Sequence, residues 1–153
     1  KAGGRLLCSG KDGGVVVPGA LIARGEYAEQ NPENVAKFLA VYLRAWKWMS
    51  AHKPEAIAMM KKFYEQGGVA ISDASMKKEF DSRPTFDLAQ QVARMDRARG
   101  NSDADAWFGQ IAIFMRGTGA IQSVPQPVDF ITDTYMKRVQ SDAKLREFAG
   151  RAN

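Results

Sequence analysis

The chain of 153 residues holds one cysteine and one histidine, Cys8 and His52. A single cysteine excludes an internal disulfide. No cluster of His, Cys, Asp or Glu has ligand spacing, so neither a metal centre nor a cofactor is expected. A Cys8–His52 nucleophile pair has nothing in its spacing to argue for it, and a small buried thiol is the simpler reading of Cys8. Asp103 and Asp105 stand at a predicted helix start, where two carboxylates suit the positive end of the dipole without acid–base chemistry. No catalytic residue is assigned, and an enzyme is not expected. No apolar run approaches the roughly 20 residues that a bilayer span requires. No secretory leader is expected within these residues either, because Lys1 is followed by Ala2, Gly3 and Gly4 and not by an apolar core. There is no internal repeat, low-complexity tract or dividing linker.

Charge of either sign is ordinary in amount. Lys and Arg number 22 against 17 Asp and Glu, for a net charge of +5. The cations are dispersed. The densest group, Arg94, Arg97 and Arg99, is interrupted by Asp96 and has no aromatic platform beside it, so no nucleic-acid partner is expected. With 45% hydrophobic residues the chain suffices for one compact domain with a modest core.

The first 24 residues read as extended. Arg5–Cys8 is a strand candidate, residues 9–14 form a turn with Gly10, Gly13 and Gly14, and Val15–Val17 is extended up to Pro18-Gly19. Ala20–Ala23 is the second strand. The glycine turn matches neither the phosphate-loop nor the dinucleotide pattern, and a plain loop is its simpler reading.

From Asn31 to Ser50 runs the longest amphipathic pattern. Asn31 suits an N-cap, Pro32 the first helical position and Glu33 the first turn. Val35, Phe38, Leu39, Tyr42, Ala45, Trp46 and Met49 recur three and four apart, so this face is expected to pack the remaining segments. Trp46 and Trp48 read as packing residues. Pro54 opens a second helix carrying Ile57, Met60, Phe63 and Tyr64, which Gly67-Gly68 ends. Ser72 or Asp73 caps a third, anchored by Met76 and Phe80 and stopped at Arg83-Pro84. Residues 86–99 fit a helix or an extended lead-in. Ser102 or Asp103 starts the next helix, with Trp107, Ile111, Phe114 and Met115 on its apolar face and Gly117-Thr-Gly119 as its close. After a proline-marked connection, Ile131, Tyr135 and Val139 define another helix, and Ser141-Asp142 caps a last one bearing Leu145 and Phe148.

The stretch ALIARGEYAEQNPENVAKFLAVYLRAWKWM, with WFGQIAIFMRGTGAI and PVDFITDTYMKRVQSDAKLREFA, resembles the second half of substrate-binding proteins of ABC importers. Within them it is most similar to the group for aliphatic sulfonates, taurine, nitrate and thiamine-pyrimidine precursors. The resemblance implies an α/β, two-lobed periplasmic-binding-protein fold of type II. Residues 1–24 would supply strands and a cleft-edge loop, and residues 31–153 the helices of the first lobe. Such proteins are about twice as long and start with a signal peptide, so this chain is expected to be the C-terminal portion, lacking the rest of the first lobe and the second. The implied function is capture of a small anionic or zwitterionic solute and its delivery to an ABC permease in the membrane. The implied location is the periplasm, or the outer side of the cytoplasmic membrane by an anchor.

The cleft-edge loop gives Ser9, Gly10, Pro18 and Gly19 as candidate ligand contacts. In taurine-type members an acidic residue meets the ligand amine at the position of Gly19 or Pro18, so an amino-sulfonate is not expected here. Arg83, in a stretch resembling the sulfonate-type members, is the candidate clamp for a sulfonate or carboxylate. The competing class is a free-standing helical protein-interaction module. An isolated strand pair would expose edges, so self-association is also expected.

Overall fold

The computed structural model describes residues 5, 7–10, 12–14 and 16–153. Among them the regular structure is helical throughout: α1 Gly25–Gln30, α2 Pro32–Ala51, α3 Lys53–Gln66, α4 Asp73–Ser82, α5 Leu88–Arg94, α6 Asp103–Gly117, a single 3-10 turn at Pro127–Asp129, α7 Thr134–Ser141 and α8 Ala143–Gly150.

The α/β expectation is therefore overturned, because no strand occurs among the described residues. Ala20–Ala23 has strand chemistry but no ladder partner, and an unpaired strand has nothing to hold its backbone groups. It stays irregular, with Leu21 half exposed and Ile22 95% exposed. Leu6, Lys11 and Val15 of the predicted strands and turn lie outside the described residues. Cys8 is exposed, which corrects the reading of a buried thiol. Its neighbour Leu7 is 86% exposed as well, so the described residues beside it offer no core to enter.

The chain divides into two units, residues 1–24 with 94–133, and residues 25–93 with 134–153. In the second unit α2 is the central helix, and α7 and α8 pack on it. The seam consists of Ala36, Ala40 and Leu43 from α2 with Val139 and Ala149, each 5% exposed or less. Alanines at spacing four form a shallow groove, so neighbouring backbones can come close. Leu88, Met136, Leu145 and Phe148 close the edges of this cluster. The Arg44 guanidinium lies 4.5 Å from the centre of the Phe148 ring, and Arg138 pairs with Glu33.

This is not the face the spacing of large residues predicts. Phe38 is 59% exposed, and Val35, Tyr42, Trp46 and Met49 are only partly covered. The helix is apolar on two sides, and α7 and α8 take the side with the smaller residues.

Helix ends follow local chemistry more closely. Ser72 caps α4 by accepting from the Ser75 amide at 3.3 Å, and Asp142 caps α8 by accepting from the amides of Lys144 and Leu145. Ser72→Ala is expected to cost about 1 kcal/mol, the usual worth of such a cap, read from the urea midpoint. Asn31 departs from expectation. Its side-chain amide donates back to the Tyr27 carbonyl of α1 at 3.1 Å and caps nothing in α2. At Gly68 and Gly119 the backbone turns left-handed, letting the next amide reach back five residues, from Val69 to Tyr64 and from Ala120 to Met115.

Candidate functional site

In the first unit, α6 and the residues before it build the best-organised polar cluster. Ser102 and Asp105 form a capping box: the Asp105 amide donates to Ser102 Oγ at 3.1 Å, and the Ser102 amide donates to Asp105 Oδ2 at 2.9 Å. Arg97 reaches the same carboxylate with Nε at 2.7 Å and Nη2 at 2.6 Å, and Nη2 also donates to the Ile131 carbonyl at 3.1 Å. Ser102 and Asp105 are both buried. The fork of Arg97, helped by the Ser102 amide and hydroxyl, holds the Asp105 carboxyl far below the usual carboxylate range despite burial. Beside it Arg94 pairs with Asp103 at 2.9 Å and lies over the Trp107 ring. Phe108 meets Phe130 edge to face, and Pro127 rests 3.9 Å from where a side chain at Gly109 would begin. Each cation of this cluster faces a carboxylate, so its chemistry is structural: it ties α6 to residues 94–97 and 131.

The Arg97–Asp105 pairing was not legible as a pair, since eight residues and a turn separate the partners. The Ser102-x-x-Asp105 spacing was the available signal. Ile131, expected inside the last-but-one helix, precedes it and contributes only its backbone.

The predicted ligand contacts lie in both units. Ser9 and Gly10 form a tight turn whose interior is already filled: the amide and hydroxyl of Ser9 both donate to Asp12 Oδ2 at 2.7 Å. A loop that holds its own carboxylate disfavours a second anion. Pro18 is half-buried and Gly19 exposed, with open space around the latter. In the second unit, Arg83 donates from Nε at 3.0 Å and Nη2 at 2.6 Å to one oxygen of Glu79, and Nη2 lies 3.3 Å from the Tyr64 hydroxyl. The Glu79 contact raises the Arg83 pKa further above its ordinary value. A shallow recess of about 440 Å³ lies along α3 at the start of α4, bordered by Ile57, Lys61, Lys62, Glu65 and Asp73. There Lys61 pairs with Asp73 at 2.6 Å.

Among the described residues no group of three or more His, Cys, Asp or Glu is placed to hold a metal ion, and no helix is long and apolar enough to cross a membrane.

Comparison with known proteins gives a local similarity. The chain is 32% identical over 56 residues to a protein of Bacillus subtilis (strain 168) whose name describes it as aliphatic sulfonates-binding. The aligned segment covers 37% of this chain and 17% of the relative's length. No family profile matches the chain. No solved structure matches it.

Proposed function

We propose that the chain is part of a non-catalytic solute-binding protein that captures a small anionic solute, of the sulfonate, nitrate or pyrimidine-precursor kind, and passes it to an ABC permease. The local similarity to the aliphatic sulfonates-binding protein carries this reading, and the quoted motif after residue 19 supports it. Such a component works outside the cytoplasmic membrane, in the periplasm or anchored at its outer side. The two polar groups assigned to the solute, Ser9 and Arg83, are engaged by Asp12 and Glu79. Binding at either group, taken by itself, therefore requires exchange: the solute's oxyanion has to displace an internal carboxylate.

Thermal denaturation of the natural polypeptide with ethanesulfonate, taurine, nitrate or a thiamine-pyrimidine precursor tests the proposal. Ligand at one hundred times its Kd is expected to stabilise the protein by about 2.7 kcal/mol, read as a saturable rise in Tm. No shift with any of the four at millimolar concentration would overturn it. A second reading, a helical protein-interaction module, is favoured by one observation: Phe38, Val41, Met59 and Phe63 are each more than half exposed on α2 and α3.

A further inference from the structure

Arg83 holds its carboxylate less well than Arg97 does. Nε and Nη2 of Arg97 each take a different oxygen of Asp105, the two-pronged arrangement that makes an arginine–carboxylate pair strong. The same two nitrogens of Arg83 converge on a single oxygen of Glu79, at 3.0 and 2.6 Å. Arg83 and Glu79 also keep 45% and 37% of their side chains in water, so their pairing contributes little. A third group stands beside them. The Tyr64 hydroxyl accepts from Arg83 Nη2 at 3.3 Å, and its own hydrogen meets no acceptor among the described residues. A hydroxyl hydrogen in that position is free to rotate toward an incoming acceptor. Tyr64, Glu79 and Arg83 all belong to the unit that includes residues 25–93, so the group is complete within one unit.

We propose that Tyr64 is a second solute-binding residue beside Arg83, and that the two together select oxyanions with three oxygens, sulfonates or nitrate, over carboxylates. The inference rests on the solute-binding reading above. Once such an anion has displaced Glu79, Nε and Nη2 of Arg83 each gain an oxygen of their own, where before they shared one. Tyr64 donates its uncommitted hydrogen to the third. A carboxylate has two oxygens, which the arginine fork satisfies by itself as it does in the Arg97–Asp105 pair, and nothing further is left for Tyr64 alone. Glu79 acts in this arrangement as an internal competitor: it keeps the guanidinium neutralised until a better-matched anion arrives. The sequence conceals the part played by Tyr64, which reads there as one of the apolar residues of α3.

Calorimetric titration of the natural polypeptide with ethanesulfonate, nitrate and acetate, each alone, tests the proposal and separates the two three-oxygen anions. Tyr64→Phe, which removes only the hydroxyl, is expected to weaken the tighter of ethanesulfonate and nitrate about tenfold, as for loss of a hydrogen bond to a charged group, and to change acetate little. Glu79→Gln is expected to tighten that anion about threefold, in keeping with the small worth of an exposed pair. Should Tyr64→Phe fail to fold, Glu79→Gln decides alone. Ethanesulfonate or nitrate binding that is indifferent to Tyr64→Phe, a loss shared equally by acetate, or no gain from Glu79→Gln would each overturn the inference and leave the solute-binding reading standing. No binding of either anion by the natural polypeptide would overturn the inference at its root, so the two failures are told apart.

Discussion

Asp105→Ala is expected to lower the stability of the first unit by about 2–3 kcal/mol, somewhat below the 3–5 kcal/mol typical of breaking a fully buried ion pair. Two losses combine. The Ser102 amide loses its acceptor, and the Arg97 fork loses both oxygens at once. The moderation comes from Arg97, which keeps 32% of its side chain in water and can rehydrate. Acid should reproduce part of the effect. The native carboxyl titrates far below its unfolded value of about 3.9. Its stabilisation is therefore complete above that value and is lost progressively as the pH falls below about 4 toward the lowered native pKa. Urea midpoints measured between pH 6 and pH 2, for the natural chain and for Asp105→Asn, should converge at the acid end. Parallel curves would show that another carboxylate governs the acid limb.

Val139→Asp should be more damaging in the second unit. Val139 is fully buried among Ala36, Ala40, Leu43 and Ala149. The residues of that cluster are all apolar, so the carboxylate would find no partner among them, at a cost of at least several kcal/mol. For a seam made chiefly of alanines, whose burial yields little per residue, that exceeds what the cluster can supply. Loss of the cooperative thermal transition, with much of the helical signal at 222 nm, is the expected outcome. Val139→Ala, which removes volume without adding charge, should keep the transition and lose about 1–2 kcal/mol.

How far these features can be read from the sequence depends on how local their causes are. Pro54, Gly68, Ser72, Pro84, Ser102, Asp142 and Gly119 act on their own few neighbours, and the helix ends they mark stand where expected. Asp87 and Gln90 carry the same kind of signal, each accepting from the other's amide ahead of α5, and that box settles the open region 86–99 as helical for its first half. The faces are another matter. The spacing in α2 supports two apolar sides, and which one is buried depends on α7 and α8, about a hundred residues away. The strands fail for a related reason: β-branched and apolar residues can make a strand, but only a ladder partner stabilises one. Of the candidate site, Ser9 and Arg83 were legible as donors, whereas the carboxylates that occupy them, Asp12 and Glu79, were not legible as partners.

The alanine seam has a consequence for how the chain is made. Arg138 meets Glu33 across 105 positions of sequence, and Arg44 reaches the Asn153 carbonyl across 109. At roughly 5–20 residues per second, α2 leaves the ribosome roughly 5–20 s before the helices that cover it. Throughout that interval both its greasy sides face the cytosol of the synthesising cell. A nascent chain in that condition is a natural client for a holding chaperone, and α7 and α8 are the helices that release it.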